Sequence, residues 1–289
     1  MQLAGAEATC LASRTSANTL PTIMRITSAS APLSRVRRPS VFQLALGFVT
    51  NFFDTLGIGS FAPTTAAFRA RRVVPDELIP GTLNVGHSIP TMLEAAIFVT
   101  VIRVDWLTLG LFVGASVVGG WLGAGIVSRW DRRTIQRGMA VALLVTATFI
   151  VLRMTGVFPG GGNALGLRGA LLATGVVGNF VLGALVTLGI GLYAPCMGMV
   201  SLLGMNPTAA FPIMMGSAAC VMPVASLRFL RAGKYDGTAA LGLAIGGVPG
   251  VLLAAFLVKS LPLDAVRVLV VLVISYTAAR MWRDSRAQR

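Results

Sequence analysis

Thr55-Leu56-Gly57-Ile58-Gly59-Ser60-Phe61-Ala62-Pro63 returns 132 residues later as Thr187-Leu188-Gly189-Ile190-Gly191-Leu192-Tyr193-Ala194-Pro195, identical at seven of nine positions. Each copy sets two glycines and a proline inside an apolar stretch. Glycine admits backbone dihedrals that other residues resist, and proline removes a donor and clashes with the preceding turn. Two broken helices in corresponding places are therefore expected. Broken backbone inside a bilayer is tolerated only where protein buries it or where it lines a wet cavity. A casual kink would not recur at the same place twice.

The repeat extends outward from there. Gly119-Gly120-x-x-Gly123 is echoed by Gly246-Gly247-x-x-Gly250, and Val104-Asp105 precedes one apolar helix as Tyr235-Asp236 precedes its counterpart. Two homologous halves, 41–155 and 169–285, are expected to build a single membrane transporter domain over 41–285. Small residues recur inside the segments, as at Gly114, Gly119, Gly120, Gly123 and Gly125, and again at Gly242, Gly246, Gly247 and Gly250. Such spacing lets lipid-embedded helices approach closely.

Composition points to the same solvent. The 289 residues are 55% hydrophobic and 12% charged, roughly half the charged fraction of a soluble domain. From Gly169 to Leu227 there is no Asp, Glu, Lys, Arg or His. Eight apolar segments follow one another at 41–62, 80–102, 106–128, 134–153, 169–191, 207–227, 238–258 and 264–282, with a short stretch from Tyr193 to Met205 after the fifth. The expectation is an all-α integral membrane protein. A soluble enzyme, a secreted disulfide scaffold and a disordered chain are excluded. Cys10, Cys196 and Cys220 build no framework.

The net charge of +14 comes from 24 Lys and Arg against 10 Asp and Glu. The basic residues lie in short loops, where they encode orientation, so no nucleic-acid partner is expected. They also discriminate between two topologies. If each half crosses four times, the loops divide 15 to 9. If the broken segments turn back as re-entrant hairpins, they divide 19 to 5, which the positive-inside rule favours. Each half then crosses three times, an odd number. The halves become inverted repeats, as in many secondary transporters, with the N- and C-termini cytoplasmic. Residues 1–40, rich in Ser, Thr, Ala and Arg, read as a disordered basic tail, and Met24 offers an alternative start.

A hydrophobic duplication with Gly-x-Gly-x-x-x-Pro breaks and Asp-led helices resembles the sulfite exporter TauE/SafE family, the four-toluenesulfonate uptake permeases. The resemblance rests on Gly57-Ile58-Gly59 through Pro63, Val104-Asp105-Trp106 and Gly119-Gly120, with their second-half equivalents, and covers 41–285. It implies transport of sulfite, organosulfonates or related small anions across a bacterial inner membrane, with the lipid bilayer as the other partner. The chain departs from the family at Ser60-Phe61 and Leu192-Tyr193, where further glycines are usual. That bears on the substrate more than on the fold.

Deep inside the apolar segments, away from their ends, the acids and imidazoles are few: Asp54, His87 and Glu94. Burying a charge in hydrocarbon costs at least about 2.5 kcal/mol, which makes them functional candidates. Asn51, Asp54 and Thr55 share a helical face. They form a polar wall of the path or a proton carrier, or else Asp54 caps the freed backbone. His87, in Asn84-Val85-Gly86-His87-Ser88, either takes protons near neutral pH and couples transport, or is a core histidine bonded to a neighbouring helix. Protons are thus the coupling ion to consider. Glu94 calls for an Arg or His partner, or makes a structural cross-helix bond.

For an anion, the leg after each break starts a helix whose N-terminal N–H groups attract negative charge. The path candidates in the first half are Asn51, Asp54, Thr55, Gly57, Gly59, Ser60, Pro63, Asn84 and His87. In the second half they are Thr187, Gly189, Gly191, Tyr193, Pro195, Gly216 and Ser217, the last two falling opposite Gly86-His87. Thr64 and Cys196 also lie near the helix starts. Because the second break region is uncharged, the site should be asymmetric in chemistry. No phosphate-binding loop for ATP is present in the sequence. Neither a nucleophile with its base nor a metal-ligand cluster is legible, so no enzyme and no cofactor are expected. The alternative functions are a non-transporting membrane subunit or assembly factor and, less well supported, a membrane enzyme.

Overall fold

A computed structural model describes residues 37–156, 161–257 and, in the last apolar segment, 271–272, 275–276, 278–279 and 281–286. Most of the basic tail and much of the eighth segment lie outside the described residues. In the first half, α1 is Val41–Thr55, α2 Phe61–Arg71, α3 Ile79–Val101, α4 Trp106–Val127 and α5 Arg132–Met154. In the second, α6 is Gly169–Val186, α7 Tyr193–Leu202, α8 Ala210–Ala232 and α9 Gly237–Leu257. The described residues of the last segment are helical too.

This is an all-α, multi-pass membrane fold. Among the described residues five helices are long and apolar enough to cross a membrane: Trp106–Val127, Arg132–Leu152, Gly169–Val186, Pro207–Ala232 and Gly237–Phe256. The other apolar segments differ. α3 is as long but carries Asn84, His87 and Glu94 at its centre. The first segment ends as a helix at Thr55; its 15 residues reach about 22 Å, short of a hydrocarbon core of about 30 Å.

Both breaks are made by glycine. Gly57 N–H donates to Asp54 O (2.7 Å) and Ile58 N–H to Phe53 O (3.1 Å); Gly189 N–H donates to Val186 O (2.9 Å) and Ile190 N–H to Leu185 O (3.4 Å). This is one helix-ending motif drawn twice, and its turning residue must be left-handed. Gly57 has φ 80° and Gly189 φ 95°. The prolines do not break the helices, contrary to their expected share. Pro63 and Pro195 fall in the first turns of α2 and α7, where a missing N–H costs nothing.

Packing exchanges the halves. α1 lies along α9 and α6 along α4, so each half's first helix packs on a late helix of the other; α3 and α8 cross at the centre. Glycine permits both contacts. A Cβ on Gly119 would land on the carbonyl oxygen of Phe180, and one on Gly183 on that of Ser116. A Cβ on Gly246 would land on Leu44 O and one on Gly250 on Phe48 O. Gly114, by contrast, has open space at its Cβ position.

The loops sort into two groups by their bonds. At one end, Arg69 of α2 pairs with Asp76 (2.8 Å) and with Asp284 (2.5 Å), and Gln136 of α5 donates to Asp76 (2.7 Å). There too Asp236 N–H donates to Thr82 and Arg37 N–H to Thr238. At the other end, Arg168 makes a two-pronged pair with Asp105, both arms 2.9 Å, and Asn206 N–H donates to Ala164 O (2.8 Å). Asp105 and Asp236, the repeated aspartates, cap α4 and α9 by accepting from Thr108 and Ala239 N–H. The Arg168 guanidinium, with the Thr108 donors, holds the Asp105 carboxyl well below the usual carboxylate range. The sign of that shift keeps the link in place at neutral pH and loses it only on strong acidification.

Candidate functional site

The two breaks face each other. A buried cavity is lined by Gly59, Ser60 and Phe61 of the first, by Ile190 to Tyr193 of the second, and by Asp54. Ala218 and Met222 of α8 close one wall. Its volume is about 10 Å³, the room of about one water.

Helix starts supply donors here. α2 begins at Phe61 and α7 at Tyr193, and neither Ser60 nor Leu192 caps its helix with a side-chain bond. The two starts are covered differently. At the first, the Asp54 carboxyl group lies beside Ser60 in the cavity lining. At the second, the position equivalent to Asp54 by the repeat is Val186, which also lines the cavity. The first break therefore carries a carboxyl group where the second carries the isopropyl group of Val186. That is the chemical asymmetry the uncharged stretch led us to expect.

Glu94 joins the two breaks. Thr55 Oγ1, at the end of α1, donates to Oε1 (2.9 Å), and Tyr193 Oη, at the start of α7, donates to Oε2 (2.8 Å). Its partners are hydroxyls of two other helices, so of the two readings open from the sequence the cross-helix bond is the one observed, not an Arg or His pair. Thr187, the repeat equivalent of Thr55, turns its hydroxyl back to Ala184 O of its own helix (2.7 Å). The link is therefore made once, not twice. Asp54 Oδ2 has no hydrogen-bond partner among the described residues.

His87 binds three helices at a second level. Asn51 donates its amide to Gly47 O (2.7 Å), which leaves Oδ1 to accept from His87 Nδ1 (3.0 Å). His87 Nε2 lies 3.3 Å from Thr64 Oγ1 on α2, and Phe61 packs on the ring. The second half repeats the contact without a histidine: Asn179 Nδ2 donates to Ser217 Oγ (2.9 Å) and to Phe112 O (2.7 Å). Ser217 thus meets α6 as His87 meets α1, and Gly216 faces Val113 and Leu109. Cys196 stands at the position of Thr64, fully buried.

The structure gathers Asp54, Gly59, Ser60, Gly191 and Tyr193 around the cavity, with Gly57 and Gly189 as the turns that bring them there and Thr55 tied to Tyr193 through Glu94. It sets Asn51, His87 and Ser217 a layer away. Asn84 is apart, its amide bonded to Pro80 O of its own helix (2.8 Å). Glu94 belongs at the centre although it was not among the path residues. Its signal was present, as the third acid or imidazole in an apolar run. Among the described residues there is no group of three His, Cys, Asp or Glu that could hold a metal ion.

No curated protein and no solved structure matches the chain. Residues 171–289, about two fifths of the chain, match the family model for the sulfite exporter TauE/SafE.

Proposed function

We propose that the chain is a secondary transporter of small anions, of the sulfite and organosulfonate class, with its site between the two breaks. One observation carries the reading. Two helix starts converge on one cavity, and neither is capped by a side-chain hydrogen bond. Backbone N–H groups at a helix start bind an anion without arginine. The cavity holds about one water, so an anion enters only when the breaks part. A non-transporting subunit has no use for such a cavity.

The bonds between loops support inverted halves. Four crossings per half would set the loop after α2 opposite both Asp236 and Asp284, and the loop after α5 opposite Asn206. Yet Asp76 reaches Arg69 and, through it, Asp284; Thr82 reaches Asp236; and Ala164 reaches Asn206. Hairpins at both breaks accommodate every one of these bonds. The arginine-rich end, with Arg37, Arg69, Arg129, Arg132 and Lys234, is then the cytoplasmic one, and both termini lie there. The membrane is the inner membrane, and the proton gradient is the drive.

Two measurements test this. Single cysteines at Arg129 and Thr208, in a cysteine-free background, should label from opposite faces of the membrane; labelling from one face would overturn the inverted arrangement. In a thermal-shift series on the purified chain, sulfite and short organosulfonates should raise the melting temperature where chloride does not, and should enter proteoliposomes. Absence of both effects would overturn the anion reading.

A further inference from the structure

Neither helix packing nor an anion path explains two acids buried side by side. Asp54 ends α1 and Glu94 lies in the middle of α3; they are 2% and 0% exposed. Thr55, the residue after Asp54, donates to Glu94 Oε1 (2.9 Å), and Tyr193, which donates to Glu94 Oε2 (2.8 Å), lines the same cavity as Asp54. Neither acid takes part in any ion pair among the described residues. The titratable groups around them are few. α3 adds His87, engaged by Asn51 and Thr64; α7 adds Tyr193 and Cys196; α9 adds none. The arginines of α2 lie at its far end, and α8 adds Cys220 and Arg228, the latter stacked over Trp121 at 3.7 Å.

Two negative charges in this setting, without a cation, cost several kcal/mol. A positive charge between them removes the cost. Metal cations of the hard class ask for six or more oxygen ligands, and the space holds about one water. A proton needs neither. It also fits the donor set, because Thr55 and Tyr193 already occupy one oxygen each of Glu94 while Asp54 Oδ2 stands open.

We propose that Asp54 and Glu94 hold one proton between them, and that Glu94 so occupied latches the first break to the second. On release the carboxyl O–H bond breaks, its electron pair stays on oxygen, and the proton passes to water entering the cavity. Two full charges then repel and the breaks part. The inference deepens the transport reading, on which its consequence rests: the proton that opens and closes the site is the one carried with the anion. It also moves the proton from His87, whose ring straps three helices, to the acid pair.

Cys196, one turn into α7 and fully buried, reports the opening. In full-length protein carrying Cys10→Ala and Cys220→Ala, its reaction with a maleimide is followed from pH 5.5 to 8.0 and divided by that of a free thiol. An opening linked to loss of one proton changes by up to about tenfold per pH unit. The wild-type rate should climb accordingly. Glu94→Gln, and independently Asp54→Asn should the first not fold, should flatten the climb. His87→Asn should keep it. A flat wild-type profile, an unchanged climb in both acid variants, or a climb abolished by His87→Asn would each overturn the latch. Absent anion uptake with the labelling pattern intact would overturn the transport reading and leave the latch standing.

Discussion

Leucine at Gly183 is expected to leave no stably folded protein. The position faces the carbonyl oxygen of Ser116 across the α4–α6 contact, and a carbonyl in a helix cannot step aside as a side-chain tip would. Alanine there should already cost about 1–3 kcal/mol by overpacking; leucine must separate the helices and should exceed about 4 kcal/mol, the range of the most damaging single changes. Gly246→Leu should match it at the α1–α9 contact. Gly114→Ala is the control: with open space at its Cβ position, it should be neutral or up to about 1 kcal/mol stabilising through helix propensity. Thermal unfolding in detergent, with size-exclusion profiles, reads all three. Wild-type stability in Gly183→Leu would refute the interlocked packing.

Removing both hydroxyls that hold Glu94 should have the second large effect. Thr55→Val and Tyr193→Phe keep the shape of the site and delete one donor each. A buried acceptor left unpaired costs about 1–3 kcal/mol. The double variant strands the whole carboxyl group and should cost about 3–5 kcal/mol. Because the hydroxyls share one acceptor group, the two losses should not simply add. Anion uptake in proteoliposomes should fall at least about tenfold in each single variant, the equivalent of 1.4 kcal/mol. Full uptake and unchanged melting in Tyr193→Phe would show that the two breaks are not joined through this carboxylate.

Much of this architecture was written locally. The breaks were legible because a left-handed turn calls for glycine, and the glycine spacing occurs twice. The Asp105 and Asp236 caps were legible because a cap lies beside the helix it starts. The inference failed where it credited proline: Pro63 and Pro195 begin the returning legs instead of ending the outgoing ones. A helix was expected after the first break, but its apolar run was traced only to residue 62 because Thr64, Thr65 and Arg69 spoil it, although they face protein and not lipid. Glu94 was legible as a buried group needing either a charged partner or a cross-helix bond, but not which residues would bond it. Thr55 and Tyr193 lie 39 and 99 residues away, and hydroxyls carry no charge signature to announce a pairing. The loop arginines, in contrast, spoke about geometry at long range, because their sign must agree on one side of the membrane.

The exchange of helices between the halves sets a schedule for synthesis. α1 leaves the ribosome about 190 residues before α9, the surface it packs on, which at 5–20 residues per second is a wait of roughly 10–40 s. Through that interval Gly47 and its neighbours present bare backbone to lipid. The first half is thus an unfinished object in the membrane, held open for a partner not yet made. Nascent chains of this design should depend on whatever shelters half-assembled helices during insertion.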